Sequence, residues 1–378
     1  MAGTTRAFIH SPALERYAYP PSCPFTTHRA ARTRKTLASM GLLTSPGCIE
    51  VEPVPAPRAT LEWFHHPEYL DVLHAAEGGE LSLDALRMGL GTDDCPVFRG
   101  MCDYAVLAVG ATLRGAELIL ADEARVAFNP SGGYHHAHAA RAAGFCYLND
   151  VALGCMTLAR HGKRVLFLDI DVHHCDGVQE AFYARSDVMT VSFHQNGHTL
   201  FPGTGFEREI GNGDGLGYTV NCPLPPGTYD EAYLRAFKAI ALPLIGAFNP
   251  DIIVMEIGAD TLAGDPLAGL NLTNNVFPEI IDRVLGFGKP ILATGGGGYH
   301  VENTVRAWAL AWTALCENEQ SADLMTGMGG VMLQSTDWQG GLRDRPLMPD
   351  VQQRPAVNAA IDQTIRTLQD LLFPLHGL

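Results

Sequence analysis

The chain has 378 residues, of which 47% are hydrophobic, with 40 glycines and 24 prolines. This composition is typical of a compact globular protein and excludes a disordered one, which combines low hydrophobicity with high charge. The formal net charge of −15 argues against direct binding of nucleic acid or of an anionic membrane surface, and it favours cationic partners.

The N-terminus and the cysteines indicate the cellular compartment. Residues 1–10 lack a basic region followed by an apolar one, so we expect no signal peptide. No apolar stretch approaches the roughly 18 residues of a membrane span, so we expect no transmembrane segment. The nine cysteines are scattered and do not form a spaced disulfide framework, which indicates a reducing compartment. A cytoplasmic location is expected, or a nuclear one if the source is eukaryotic.

Short apolar runs alternate with helix-like stretches along the chain. In chain order, strands are predicted at 6–9, 125–128, 164–170, 188–193, 251–257 and 290–294. Helices are predicted at 104–121, 149–160, 229–248, 276–287 and 356–372. Strands that are apolar on both faces and alternate with helices predict an α/β fold, a three-layer sandwich with a central, mainly parallel sheet. No repeat or long linker interrupts the pattern, so one domain over 1–378 is expected, with its active site in loops at the carboxyl ends of the strands.

The loop after the strand at 125–128 contains the tandem histidines His135 and His136. Amide hydrolysis needs a base that accepts a proton from water and an acid that protonates the departing amine, and imidazole serves both tasks near neutral pH. Each imidazole works best when a carboxylate holds its other nitrogen, and Asp169 and Asp176 are available for this. A single loop histidine is more often structural, so this interpretation depends on the other loops.

The strand at 164–170 leads into Asp169, Asp171 and His173, which alternate on one face of an extended segment. Asp171 and His173 offer an oxygen and a nitrogen ligand, a pair suited to zinc. The strand at 251–257 leads into Asp260, which fits a third ligand or a helix N-cap. Three protein ligands with an open fourth position are typical of a catalytic zinc site.

The strand at 290–294 leads into four consecutive glycines and Tyr299. Glycines permit a close backbone approach, but their spacing does not match a phosphate-binding loop. A phenol that faces the metal would donate a hydrogen bond to an oxyanion. An ordinary packed loop tyrosine is the alternative.

These motifs together resemble the arginase/deacetylase superfamily and, within it, class I zinc-dependent histone deacetylases. The matching segments are GLGTDDCPVF at 89–98, SGGYHHAHAARAAGFCYLND at 131–150, DIDVHHCDGVQEAF at 169–182, FPGTG at 201–205, GADTLAGDPL at 258–267 and GGGGY at 295–299. The resemblance covers nearly the whole chain. It implies the arginase/deacetylase fold and hydrolysis of N6-acetyl-lysine, or a related acyl-lysine, in a peptide or protein, with release of acetate.

The resemblance also implies a role for individual residues. The implied zinc ligands, with Fe²⁺ as an alternative metal, are Asp171, His173 and Asp260. The implied catalytic residues are Tyr299 as oxyanion partner, His135 with Asp169, and His136 with Asp176. The implied substrate-binding residues are Phe145 and Phe201 as tunnel walls, Gly144 beside them, Leu267 at the rim, Asp94 at the peptide backbone, and Arg29 near an acetate-sized cavity.

Potassium binding is a further implication of the resemblance. The implied inner site comprises Asp169, Asp171, His173, Ser192 and Phe193. The implied outer site comprises Phe182, Arg185, Val188 and Tyr218.

Three departures and three alternatives accompany the resemblance. Cys175 stands where the family usually has glycine, Tyr134 replaces a common tryptophan, and 327–349 has no strong match.

An acetylpolyamine deacetylase is one alternative, although such enzymes place an acidic residue at the position of Leu267. An arginase-like ureohydrolase needs two metals and an Asp-x-Asp where this chain continues Asp260 with Thr and Leu. An inactive acyl-lysine-binding scaffold would have lost a ligand or Tyr299, and the sequence retains all of them. The oligomeric state is not indicated.

Overall fold

The computed structural model describes residues 5–317, 342–348 and 351–378, so most of the unmatched segment 327–349 lies outside the described residues. The strands are β1 Arg6–Ile9, β2 Cys48–Val51, β3 Val126–Asn129, β4 Val165–Asp169, β5 Val188–Gln195, β6 Thr219–Leu224, β7 Ile252–Glu256 and β8 Ile291–Thr294. The α-helices are α1 His28–Ser39, α2 Arg58–Leu61, α3 Pro67–Glu77, α4 Leu83–Arg87, α5 Met101–Leu120, α6 Asp150–Arg160, α7 Asp176–Phe182, α8 Asp230–Phe248, α9 Val276–Leu285, α10 Val301–Leu315 and α11 Arg354–Leu372. Short 3₁₀ helices cover Pro12–Arg16, Gly213–Gly215 and Phe373–His376.

The eight strands form one sheet in the order β2-β1-β3-β8-β7-β4-β5-β6. Every neighbouring pair is parallel. The predicted α/β fold with a parallel sheet is therefore confirmed. The four strands whose loops carry the predicted chemistry, β3, β8, β7 and β4, are neighbours at the centre of the sheet, and their carboxyl ends meet at one edge.

Helices cover both faces of the sheet, because the central strands are apolar on both sides. Along β4, Val165 and Phe167 pack into one core while Leu166 and Leu168 pack into the other, and all four are fully buried. The first core contains buried residues of α5 and α6, and the second contains those of α8, α9 and α10. This is the expected three-layer arrangement.

Two further features of the described residues bear on the earlier expectations. Within those ranges, no helix combines the length and the apolar character needed to cross a membrane. The nine cysteines are all free thiols.

Candidate active site

The loop that carries the tandem histidines is held in place by hydrogen bonds to Asp150, the first residue of α6. Its carboxylate accepts hydrogen bonds from the backbone N–H of Gly133 at 3.1 Å and of Tyr134 at 2.8 Å. Thr112 of α5 donates to the same carboxylate at 2.5 Å. Gly133 has φ +98°, and a Cβ there would lie 2.5 Å from the backbone nitrogen of Gly296. Only glycine therefore lets the loops after β3 and β8 touch.

Each tandem histidine faces its own carboxylate. His135 Nδ1 lies 2.8 Å from Asp169 Oδ2, and His136 Nδ1 lies 2.7 Å from Asp176 Oδ1. The two Nε2 atoms lie 3.1 Å apart, and both imidazoles are buried. The structure thus brings together both of the expected histidine–aspartate pairs.

The two imidazoles differ in charge because their surroundings differ. Burial alone favours a neutral His135, but the charges of Asp169 and Asp171 outweigh it and raise the pKa of His135 to about 9. Burial, together with the positive charge of His135, lowers the pKa of His136 to about 3. One charged and one neutral imidazole therefore lie side by side, an arrangement that separates acid and base roles by environment.

The three expected metal ligands form a buried cluster between β4 and β7. Their donor atoms, on Asp171, His173 and Asp260, lie within 4.8 Å of one another. His173 Nδ1 lies 3.2 Å from Asp171 Oδ1 and 3.1 Å from Asp260 Oδ2. Burial and the charge of Asp171 raise the pKa of Asp260 to about 7, because two carboxylates this close repel each other in a buried place. Two buried oxygen donors and one imidazole that converge in this way fit a divalent cation.

The glycine-rich loop after β8 reaches this cluster and carries Tyr299. The N–H of Gly297 donates to Asp171 Oδ2 at 2.6 Å, and the N–H of Tyr299 donates to Asp265 Oδ2 at 2.7 Å. The rings of Tyr299 and Phe145 lie 5.6 Å apart in an edge-to-face arrangement. Burial raises the pKa of Tyr299 well above its usual value, so the phenol keeps its proton and remains a hydrogen-bond donor.

A cavity of about 600 Å³ leads from the surface to these groups. Its lining includes eight residues expected from the sequence, namely Asp94, His136, Gly144, Phe145, His173, Phe201, Leu267 and Tyr299. Phe145 has φ +68°, in the left-handed region that few side-chain-bearing residues adopt. The rings of His136 and Phe201 lie 4.9 Å apart. Phe201 is 42% exposed at the mouth.

Arg29 lies outside this cavity lining. Its guanidinium donates to the carbonyl oxygens of Gly298 at 2.7 Å and Gly296 at 3.0 Å. Arg29 therefore braces the glycine-rich loop from behind, and its direct contact with substrate or acetate stays a prediction.

The residues expected at the inner potassium site lie at or just after the end of β4 and on β5, and those expected at the outer site lie at or just after the end of α7, at the start of β5 and just before β6. Ser192 is the register partner of Asp169, and its hydroxyl lies 2.8 Å from His194 Nδ1. At the outer site, the carbonyl oxygens of Phe182 and Tyr218 each accept a backbone hydrogen bond at 2.9 Å. Because a carbonyl oxygen has a second lone pair, these contacts leave room for a cation but do not identify one.

Three residues near the site were not singled out from the sequence. Glu256 ends β7, and its buried Oε1 lies 3.1 Å from His135 Nδ1. His138 contacts Asp176, and Asp265 holds the backbone of Tyr299. A charged residue that ends an apolar strand is a signal that would have identified Glu256. The other two contacts join distant segments and leave no local pattern.

Cys175 and Tyr134, two of the departures from the family pattern, fit their positions in the structure. Cys175 is buried with φ −77°, so its position does not require glycine. The hydroxyl of Tyr134 lies 2.7 Å from that of Tyr104, which satisfies both buried phenols.

This chain is similar to several known proteins. The model of the family "Histone deacetylase domain" matches residues 23–315. The chain is 42% identical over 282 residues to "Histone deacetylase 8" of Xenopus tropicalis, covering 74% of this chain and 76% of the relative. It is 37% identical over 315 residues to "Histone deacetylase RPD3" of Saccharomyces cerevisiae, covering 82% of this chain and 72% of the relative.

Two solved structures are also similar to this chain. One described as an HDAC homologue complexed with SAHA aligns with a TM-score of 0.84 at 31% identity, covering 97% of this chain and all of the other. An HDAC homologue from Aquifex aeolicus aligns over the same shares with a TM-score of 0.82 at 31% identity.

Proposed function

This chain belongs to the histone deacetylase family and is a hydrolytic lysine deacetylase, and we propose that it acts on acyl-lysine in peptides or proteins with one zinc ion. The observation that carries the proposal is the convergence of Asp171, His173 and Asp260. Of these three residues, His173 lines the cavity together with His136 and Tyr299. When bound, such an ion acts as a Lewis acid that polarises a carbonyl oxygen and makes water a better nucleophile at neutral pH.

Substrate positioning falls to the walls of the cavity. Phe145 and Phe201 present aromatic faces to the four-carbon stem of the lysine, and Leu267 keeps the rim apolar. Asp94 lies exposed at the mouth, where its carboxylate accepts hydrogen bonds from the substrate backbone. These contacts align the acyl group with the catalytic side chains.

Proton transfer falls to the tandem histidines. His136 is neutral and lines the cavity, so its Nε2 accepts the proton from the attacking water while Asp176 holds its Nδ1–H. His135 is charged and hydrogen-bonded to Asp169, and it supplies positive charge beside the reacting carbonyl. The phenol of Tyr299 donates a hydrogen bond to the oxyanion that forms when water attacks. When the oxyanion collapses, the amide C–N bond breaks and the protonated His136 returns its proton to the departing lysine nitrogen, which leaves acetate and free lysine.

The remaining parts of the proposal concern the whole chain. A single sheet runs through the described residues, which supports one catalytic domain over 1–378. We propose potassium as a structural ion at the two sites predicted from the sequence. The free thiols support a reducing compartment, of which the cytoplasm is our first expectation. The acetylpolyamine and inactive-scaffold alternatives are not favoured by the comparisons.

The test joins metal content and turnover. Purified protein should contain one catalytic divalent ion per chain by elemental analysis and should release free lysine from acetyl-lysine peptides. Asp171→Ala and Asp260→Ala should each lose both the ion and the activity. Two tightly bound divalent ions at full activity, or turnover by the metal-free variants, would contradict the proposal.

A further inference from the structure

We propose that His138 is a positioning residue for the Asp176–His136 pair, a role that rests on the function proposed above. His138 lies two residues beyond His136, yet it is absent from the lining of the substrate cavity. Its imidazole instead bridges two carboxylates on α7, and one of these is the partner of His136.

Both oxygens of Asp176 are engaged, and each faces a different imidazole. Oδ1 accepts from His136 Nδ1 at 2.7 Å, and Oδ2 lies 3.1 Å from His138 Nε2. The backbone N–H of Gly177 adds a contact to Oδ1 at 3.1 Å. A carboxylate held at both oxygens cannot rotate about its Cβ–Cγ bond, so the direction in which it holds His136 is fixed.

The other nitrogen of His138 faces Glu180, one turn further along α7, in a close contact. Burial favours a neutral His138, but Asp176 and Glu180 outweigh it and raise the pKa of His138 to about 9. At neutral pH both ring nitrogens therefore carry protons and both donate. A charged imidazole between two carboxylates also offsets their mutual repulsion across one turn of the helix.

The backbone around His138 is anchored independently of its side chain. Its N–H donates to the carbonyl of Arg141 at 2.9 Å, and its carbonyl accepts from His65 Nδ1 at 3.1 Å. Truncating the imidazole should therefore leave the loop in place and free only Asp176 and Glu180.

A second cavity gives access to this position. It measures about 500 Å³ and is lined by His138, Asp176 and Glu180 among others. Phe201 lines both this cavity and the substrate cavity, so its ring separates them. Free imidazole can therefore reach the space that His138→Ala would create without entering the substrate cavity.

The experiment compares His138→Ala with wild type and with His161→Ala, a control that removes an imidazole at the exposed end of α6. We expect kcat on an acetyl-lysine peptide to fall about ten-fold in His138→Ala, as is typical for residues that orient a catalytic group from behind. KM, metal content and melting temperature should stay near wild type. Added imidazole should restore part of kcat in His138→Ala and leave His161→Ala unchanged.

A spectroscopic readout makes the test independent of turnover. In protein with ¹⁵N-labelled histidine, the Nδ1–H proton of His136, identified by its loss in His136→Ala, should give a downfield resonance. This resonance should shift or broaden in His138→Ala and recover with imidazole. Inactive wild-type protein would contradict the proposed function, while the resonance would still decide the role of His138. An unchanged resonance with unchanged kcat, or a loss of kcat explained entirely by KM or by metal loss, would overturn the positioning role.

Discussion

His135 and His136 face each other across 3.1 Å between their Nε2 atoms. Since the pKa of His135 is raised to about 9 and that of His136 is lowered to about 3, a charged ring lies beside a neutral one at pH 7. Only His136 lines the substrate cavity. His135 and His136 therefore differ in protonation state because the groups around them differ, and they have different roles in the reaction.

His136→Ala should therefore cost more turnover than His135→Ala. Removal of a general base typically costs about 10²- to 10⁴-fold in rate, and we expect His136→Ala to fall in that range. Steady-state kinetics with metal content measured in parallel is the check. A kcat within ten-fold of wild type at full metal occupancy would reject His136 as the base.

Tyr299→Phe removes only a hydroxyl from the cavity. Because the phenol is a donor to an oxyanion that exists only during the reaction, kcat should fall by about two to three orders of magnitude, the usual cost of one oxyanion donor. KM and metal content should change little. Near wild-type turnover would show that the hydroxyl of Tyr299 takes no part in the reaction.

The sequence predicted the central strands closely because each is an uninterrupted apolar run. The two strands it missed, β2 and β6, are the two edges of the sheet. In β2 the exposed Glu50 interrupts the run, and β6 contains Asn221 and Pro223. Proline is tolerated at a sheet edge because no neighbouring strand needs its missing N–H, so edge strands carry a weaker sequence signal.

The loop residues of the site were predictable for a related reason. Asp171 and His173 directly follow β4, and Asp260 follows β7, so parallel topology brings them to one edge of the sheet. The contacts of His138 with Asp176 and of Asp265 with Tyr299 span 38 and 34 residues. Such pairs depend on how loops fold over the sheet, which strand periodicity does not determine.

Gly297→Ala should disrupt metal binding because the added Cβ would displace two of the proposed metal ligands. A Cβ at this position would lie 1.9 Å from Asp260 Oδ2 and 2.9 Å from Asp171 Oδ2, so both ligands would have to move. We expect loss of the divalent ion and of turnover. Gly246→Ala in α8 is the matched control, because its Cβ would meet nothing nearer than 4.0 Å. Full metal content in Gly297→Ala would contradict the assigned ligand geometry.

The free energy of unfolding should decrease in mild acid, and protonation of His65 should account for part of this decrease. This buried imidazole donates from Nδ1 to the carbonyl of His138 and accepts at Nε2 from the N–H of Asn149, so both contacts require the neutral form. Burial lowers the pKa of His65 to about 4, while the unfolded chain has a pKa of about 6.5. The unfolded state therefore takes up the proton first, and stability is lost as pH falls from about 6.5 toward 4.

Urea unfolding at pH 7 and pH 5 measures this contribution. From the two pKa values, His65 should account for about 2 kcal/mol of the loss between these pH values. His65→Gln keeps a donor and an acceptor without titrating, so its loss over the same interval should be smaller by that amount. Equal losses in the two proteins would show that His65 is not held neutral.

The effect of Asp94→Ala on activity should differ between peptide substrates and small amine substrates. Asp94 is exposed at the mouth of the cavity, and a carboxylate there accepts backbone N–H hydrogen bonds worth about 1.5 to 3 kcal/mol. Since about 1.4 kcal/mol corresponds to a factor of ten, activity on acetyl-lysine peptides should fall about ten- to a hundred-fold. An acetylpolyamine has no peptide backbone, so its hydrolysis should change much less. Asp84→Ala, which removes an exposed carboxylate on α4, controls for net charge. If Asp94→Ala leaves peptide hydrolysis unchanged while wild type prefers the polyamine, the rim does not grip a peptide and the protein-substrate proposal is wrong.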